Sequence, residues 1–269
     1  MLKAWQAVRS ALFYVLFLGQ TTVLAIMVGT IAIIAKRPVR IGWVLARFWG
    51  DFNLVLLRWI VGVRTKVTGL ENIPPGACIL AAKHQSDWDI FALLPHTVRP
   101  AFVAKKELMT IPFFGWAAAS FDTIRVDRSL GAEAIPTMMA DAHRAVANGC
   151  RIVIFPEGTR RPPLAEPDYR QGIVRMYLEL GVPVVPVALN SGLFWGRNSP
   201  VLWSGTARAS ILPAIPPGLD GLAFRQRLIE AIETESDRLA LDAVDAGLDR
   251  PIDAVLAARI AAAKARRQR

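Results

Sequence analysis

Residues 11–35 form one uncharged run, ALFYVLFLGQTTVLAIMVGTIAIIA. These 25 residues, at about 1.5 Å each, make roughly 37 Å of helix, more than the ~30 Å hydrocarbon core of a bilayer requires. A cleavable signal peptide is the alternative, but its apolar stretch would be only about 7–15 residues long and would end at a small-residue cleavage site. Here the run is longer, and Lys36 and Arg37 follow it directly as a stop signal. A retained anchor is therefore expected.

The next segment, residues 41–63 (IGWVLARFWGDFNLVLLRWIVGV), is also apolar but carries Arg47, Asp51 and Arg58. At about 100° per residue, Asp51 lies about 40° from Arg47 and Arg58 about 20° from it, so the three charges form one narrow stripe on a helix. Two readings are open. The segment is either a core helix with its stripe facing water, or a helix lying in one leaflet as the second arm of a hairpin, with Trp43, Trp49 and Trp59 at the headgroup level. The second reading is the one expected here.

Composition agrees with a membrane location. Hydrophobic residues make up 53% of the 269, and only 20% are charged, against about 25% in typical soluble proteins. Lys plus Arg number 32 against 22 Asp plus Glu, a net charge of +10. That balance calls for an anionic partner, either nucleic acid or an acidic membrane surface. Lys36, Arg37 and Arg40 follow the first run while only Lys3 and Arg9 precede it, which puts the remainder of the chain in the cytoplasm, on the inner membrane. The last residues, RIAAAKARRQR, hold five cations and no acid. They read either as a grip on anionic lipid, at about 1 kcal/mol per charge, or as a solvated, frayed tail. Two cysteines, Cys78 and Cys150, are too few for a disulfide framework. Each borders an apolar run, as expected of buried free thiols in a reducing compartment.

From residue 64 onward, short apolar runs alternate with helical patterns. TKVTG, ACILAA, AFVAK, DTIRV, RIVIF, VVPVAL and ARASIL read as strands; residues 88–94, 130–148, 172–180 and 222–239 read as helices. Strands interleaved with helices predict an α/β fold, a mostly parallel central sheet flanked by helices, with the N-terminal membrane-associated helical hairpin attached. The expected organisation is a hairpin over 1–63, a catalytic domain over 64–240 and a basic C-terminal helix or tail over 241–269.

Of three histidines, His84 stands out because Asp89 follows in the segment HQSDWDIF. In a continuous helix five residues subtend about 140°, so the two would not share a face. They meet if His84 lies on the entering loop and Ser86 caps a helix whose first turn holds Asp87 and Asp89. A carboxylate on one ring nitrogen would leave the other free as a base. His96 and His143 lack such a partner set and read as surface histidines. A second segment, IVIFPEGTRR, runs from an apolar strand through Pro156 into Glu157, Gly158, Thr159 and Arg160. Gly158 allows close backbone approach, Thr159 offers a hydroxyl, and the Arg160 fork suits phosphate oxygens. Phosphate would repel Glu157, which is better suited to orienting an arginine or contacting a hydroxyl. AKKELMTIPFFGW and TIRVDR add Lys105, Lys106, Arg125 and Arg128 beside apolar segments. No G-x-S-x-G, Walker A, G-x-G-x-x-G or H-E-x-x-H pattern occurs, which argues against the common serine hydrolases, nucleotide enzymes and zinc proteases.

Taken together, these segments resemble the 1-acyl-sn-glycerol-3-phosphate acyltransferase family. His84 and Asp89 match its H-x4-D block, TIRVDR its second with Arg128 in the arginine position, FPEGTR its third, and VPVVPVAL its fourth. The blocks come in the family order, with 44 residues from His84 to Arg128 and 29 from Arg128 to Glu157. One departure is YRQG at residues 169–172, where many members carry a lysine-rich F-x-x-G segment; Arg170 stands there. The resemblance implies that His84, held by Asp89, deprotonates the sn-2 hydroxyl of lysophosphatidic acid, which then attacks an acyl thioester directly to form phosphatidic acid. It implies that Lys105, Arg128 and Arg160, with the Glu157–Thr159 turn, bind the acceptor. Acyl-CoA or acyl-acyl-carrier protein would be the co-substrate, with no metal or organic cofactor and no nucleic-acid partner; membrane lipids are the expected surroundings. The alternative keeps this chemistry on glycerol-3-phosphate or an amino-acid-based lysolipid.

Overall fold

The structure is a computed structural model describing residues 2–35, 40–119 and 121–267. The apolar runs become seven strands: β1 Val63–Thr68, β2 Ile79–Ala82, β3 Pro100–Lys105, β4 Ile124–Val126, β5 Arg151–Ile154, β6 Val184–Leu189 and β7 Gly205–Ile211. They form one sheet in the order β1-β7-β6-β2-β5-β3-β4. The five strands from β6 to β4 are parallel neighbours. Strand β7 runs antiparallel to β6, and β1 pairs parallel with β7. The mostly parallel sheet is as expected; the reversal of the β1–β7 edge is additional.

Strand β2 shows how the layers are built. All four of its residues are buried, because both faces of a central parallel strand are covered. Ile79 and Ala81 point into one core layer, where α5 (Ile135–Ala147), α6 (Gly172–Leu180) and α7 (Gly221–Asp245) contribute Met138, Tyr177 and Phe224. Leu80 and Ala82 point into the other, together with Phe91 of α3 (Trp88–Leu93) and Phe13 of α1 (Leu2–Ala35). Helix α7 begins at Asp220, whose carboxylate accepts from the N–H groups of Leu222 and Ala223 at 2.9 Å, a regular N-cap.

Helix α1 contains the uncharged run and is long and apolar enough to cross a membrane. Its first half, however, is docked on the sheet domain. Phe13 is fully buried and meets Trp195 edge-on at 5.4 Å. Gln6 donates to Ser204 Oγ, and Ser10 Oγ accepts from Leu202 N–H. Further along, α1 packs on α4 (Phe114–Ala119) so closely that a Cβ at Gly29 would lie 2.8 Å from the Phe113 carbonyl oxygen. Its remaining surface is apolar and open, from Trp5 and Val8 to Ile33 and Ile34.

Helix α2 (Arg40–Leu56) continues through a π-helical turn, Leu57–Val61, and lies against α1. Several polar groups in the apolar pair are matched across it, while Gln20 Oε1 is buried without a hydrogen-bond partner among the described residues. Gln20 donates to Asn53 Oδ1 at 2.9 Å, and the Trp49 indole donates to Thr21 Oγ1 at 2.8 Å, since an unmatched polar group in an apolar setting is costly. Arg47, Asp51 and Arg58 are exposed as the stripe required. The tryptophans divide: Trp59 is exposed, whereas Trp49 packs on Phe91 at 4.9 Å and Trp43 on Phe121 at 4.7 Å. Only one of the three is thus free to sit among headgroups, because the other two face the domain. Lys36 and Arg37, the expected stop signal, lie outside the described residues.

The C-terminal segment is helical, α8 (Ala254–Arg267), rather than frayed. Leu256 and Ala263 enter the core, and its cations pair within the molecule: Lys264 with Asp245, and Arg266 with Asp237 and Glu166. Those charges are therefore already partnered, which reduces what remains for lipid.

Cys78 and Cys150 are buried and free, and burial pushes each thiol up to about 11. Thiolate is the reactive form. A thiol reagent at pH 7.5 is expected to label neither cysteine in the folded protein over minutes and both in denaturant. Rapid native labelling would show that the ends of β2 or β5 open.

Candidate active site

Parallel strands with aligned registers deliver their following loops to one edge of the sheet. Ala81 is level with Ile154 of β5 and Pro186 of β6, so the loops after β2 and β5 emerge side by side. His84 sits on the first and the FPEGTR turn on the second. Two hydrogen bonds lock them together: Arg161 N–H donates to His84 C=O at 2.8 Å, and His84 N–H donates to Glu157 Oε2 at 3.3 Å. The His84 ring stacks on Phe155 at 4.0 Å and 20°.

His84 Nδ1 lies 2.9 Å from Asp89 Oδ2. Asp89 is fully buried, and the same oxygen accepts from the N–H groups of Gln85 (2.7 Å) and Ser86 (3.0 Å), while Oδ1 takes the Ser191 hydroxyl. Five residues of separation are bridged because His84 precedes α3 and Asp89 occupies its first turn, facing back. Ser86 was expected to cap this helix. It does not: the residue before α3 is Asp87, without a side-chain cap, and Asp89 itself receives the loop's free N–H groups. With a carboxylate as acceptor, the tautomer of a neutral ring that suits this contact has its proton on Nδ1 and a lone pair on Nε2. Nε2 has no protein partner among the described residues.

A cavity of about 1170 Å³ opens at this edge. Its lining includes His84, Asp87 and the turn from Pro156 to Arg160, together with apolar residues of the helical pair, among them Leu24, Val28 and Leu45. Gly158 adopts φ +68°, a left-handed conformation that glycine accepts freely and that turns the backbone at the cavity wall. Thr159 is half-buried beside it. Arg160 Nη1 donates to Asp87 Oδ2 at 2.9 Å, and among the described residues no carboxylate takes the other N–H groups of the fork. Burial pushes the Asp87 carboxyl up, and Arg160 pulls it back. Arg197 Nη1 reaches the Arg160 carbonyl at 3.4 Å, adding a second guanidinium at the rim. Arg170 lines the cavity too, paired with Asp168 at 3.2 Å.

The other expected site residues divide. Lys105, at the end of β3, is exposed and lines the cavity. Its neighbours are engaged elsewhere: Lys106 pairs with Asp127 at 3.1 Å, and Arg125 with Asp141 at 3.0 Å. Arg128 opens the 3-10 segment before α5, and its side chain lies outside the described residues. The Glu157 carboxylate is fully buried and bonded at 3.0 Å to Lys83, so the cation it orients is a lysine rather than an arginine. His143 is exposed on α5 as expected; His96 is half-buried, and burial lowers its affinity for a proton.

Sequence reasoning missed Lys83, Tyr169, Ser191 and Glu233, which surround the two loops from behind. One signal was available. A lysine directly after the fully apolar ILAA run implies a buried charge and therefore a buried partner.

The family model described as Acyltransferase matches residues 64–190, which contain every block named above. A 1-acyl-sn-glycerol-3-phosphate acyltransferase from Pseudomonas aeruginosa is 35% identical over 78% of this chain and 81% of its own length. The human 1-acyl-sn-glycerol-3-phosphate acyltransferase alpha is 27% identical over 61% of this chain and 59% of its own length. Among solved structures, the 1-acyl-sn-glycerophosphate (LPA) acyltransferase PlsC from Thermotoga maritima superposes with a TM-score of 0.71 at 23% identity, covering 87% of this chain and 97% of that one. The fold, the paired loops and a relative matched over most of both chains converge: this chain belongs to the 1-acyl-sn-glycerol-3-phosphate acyltransferase family.

Proposed function

We propose that this acyltransferase transfers an acyl group from a thioester, acyl-CoA or acyl-acyl-carrier protein, to the sn-2 hydroxyl of 1-acyl-sn-glycerol-3-phosphate, yielding phosphatidic acid. The observation that carries the reading is the His84–Asp89 contact of 2.9 Å with Nε2 left free beside the Arg160 turn. Nε2 accepts the hydroxyl proton as the oxygen attacks the thioester carbonyl. Collapse of the tetrahedral adduct breaks the C–S bond, and the imidazolium returns its proton to the departing thiolate. Asp89 supports the transient imidazolium. Arg160, Lys105 and Arg128 hold the acceptor phosphate. Because substrate and product share that phosphate, these contacts act by positioning the hydroxyl. The apolar side chains lining the cavity accommodate hydrocarbon, and the open apolar face of α1 rests in the inner leaflet of the cell membrane, with the sheet domain on the cytoplasmic side.

Purified protein in mixed micelles, given lysophosphatidic acid with either donor, should produce phosphatidic acid detectable by mass spectrometry. Glycerol-3-phosphate and an amino-acid-based lysolipid serve as competing acceptors. Arg160→Ala removes a charged hydrogen-bonding partner worth about 1.5–3 kcal/mol. It is expected to raise KM for lysophosphatidic acid about 10- to 100-fold. An unchanged KM would point to an acceptor without a phosphate.

A further inference from the structure

Lys83 immediately precedes His84, but its side chain is directed away from the cavity into the protein, where it is 1% exposed. Its ammonium is bonded to Glu157 Oε1 at 3.0 Å and to both oxygens of Glu233 on α7, at 2.7 and 2.8 Å. Tyr169 OH donates to Glu233 Oε1 at 2.8 Å. The second oxygen of Glu157 receives the His84 backbone N–H, and the His84 carbonyl is held by Arg161 N–H. One cation thus stands between two carboxylates, joining the helix behind the sheet to the peptide on which the His84 ring is mounted. Burial pushes the Glu157 carboxyl up, with Lys83 opposing that effect and Glu233 reinforcing it. Lys83 and Glu233 touch neither substrate in the reaction proposed above, and the Glu157 side chain, fully buried, turns its two oxygens to Lys83 and the His84 N–H rather than to the acceptor. A buried Lys83–Glu157 pair, extended to the half-buried Glu233, is costly to keep for stability alone, since well-packed apolar residues often do as well.

We propose that Lys83 is a positioning residue for acyl transfer: its ammonium ties Glu157 to Glu233 and thereby fixes the backbone that aims the His84 imidazole at the acceptor hydroxyl. The inference rests on the reading of His84 as the base. Displacements of about 1 Å at a reacting group are enough for 10²-fold losses in rate, and a loosened His84 peptide is such a displacement.

The test uses the full-length protein in mixed micelles with lysophosphatidic acid and acyl thioester, with rates normalised to the folded fraction from circular dichroism. Lys83→Met is expected to lower kcat about 10- to 100-fold with KM for both substrates within about twofold of wild type. Glu157→Gln keeps an uncharged acceptor for the His84 N–H and needs no cation. The double variant Lys83→Met/Glu157→Gln should therefore recover most of the lost kcat. Lys83→Arg, which keeps the charge and protects the test if the methionine variant does not fold, should stay within about threefold of wild type. The proposal is overturned if folded Lys83→Met turns over at the wild-type rate, if the double variant loses the product of the two single losses, or if Lys83→Arg falls tenfold or more. Inactive wild-type protein would instead defeat the proposed function, so the two failures are distinguishable.

Discussion

His84→Ala is expected to lower kcat by at least about 10³-fold while leaving the unfolding midpoint nearly unchanged. A positioned general base contributes typically 10²–10⁴-fold, and in the proposed reaction the same imidazole would also return the proton to the leaving thiolate. The fold has little reason to change. Asp89 retains three donors, from Gln85, Ser86 and Ser191, and the ring's main packing contact is the exchangeable stack on Phe155. Asp89→Asn should behave differently from a carboxylate that faces only its histidine. Two backbone N–H groups converge on Oδ2, so the asparagine must place its oxygen there, while its NH₂ faces the hydroxyls of Ser86 and Ser191. Hydroxyls can turn to accept a hydrogen bond. The proton stays on Nδ1, and what is lost is the charge assistance to the imidazolium. At about 1.5–3 kcal/mol for a charged hydrogen bond, this is a fall of roughly 10- to 150-fold. Michaelis constants and rates measured beside calorimetry decide it. Wild-type turnover in His84→Ala removes the imidazole from the chemistry, and a loss in Asp89→Asn equal to that in His84→Ala would show that the tautomer had flipped.

Phe13→Ala should destabilise the protein by about 3–5 kcal/mol, the cost of deleting a fully buried aromatic ring. Phe13 lies in an aromatic cluster with Phe17, Tyr14 and Trp195, with centroids between 5.4 and 5.7 Å. It shares its core with Leu80 of β2 and Phe91 of α3. Because a helix that only tethers a domain has no such residue, the substitution separates two roles for α1. For a domain of this size, 3–5 kcal/mol corresponds to a midpoint lowered by about 10 °C. Trp5→Ala, on the open face of the same helix, should cost less than about 1 kcal/mol. Thermal unfolding in detergent, with activity followed in parallel, measures both. If Phe13→Ala costs no more than Trp5→Ala, α1 detaches from the sheet domain in solution and serves only as an anchor. Removal of α1 to obtain a soluble enzyme is expected to fail for the same reason, since it strips one face of the catalytic core.

Much of the architecture was legible in the residue pattern, for identifiable reasons. Strands β2, β5 and β6 coincide with short apolar runs because a covered parallel strand has no polar face to display, whereas β1 and β7 at the edge alternate between buried and more open positions. Helix α4 was missed because its six residues, FGWAAA, are too few for a helical period to show. The C-terminal helix was open to reading as a tail because its cations look solvated in one dimension; their acids, Asp237 and Asp245, belong to α7. The direction of β7 was unreadable, since both edge pairings bury the same alternating face of GTARASI. At the site, His84, Asp89 and the FPEGTR turn stood out because an imidazole, a carboxylate and a glycine–arginine turn follow one another in the family's block order. Ser191 and Glu233 did not, since a serine or glutamate has nothing unusual about it until its partner is known.

By itself the sequence determined the covered parallel sheet, the apolar helical pair and the identity of the residues proposed to exchange a proton and hold a phosphate, because burial and chemistry depend on side-chain type and short-range spacing. The tertiary structure decided how those residues are held. It docked α1 through Phe13 and turned Asp89 back onto its own loop. It also set Lys83 between Glu157 and Glu233, 74 and 150 residues away. Contacts at such separations depend on strand order and register, and no local preference of the chain encodes which distant carboxylate will neutralise a buried lysine.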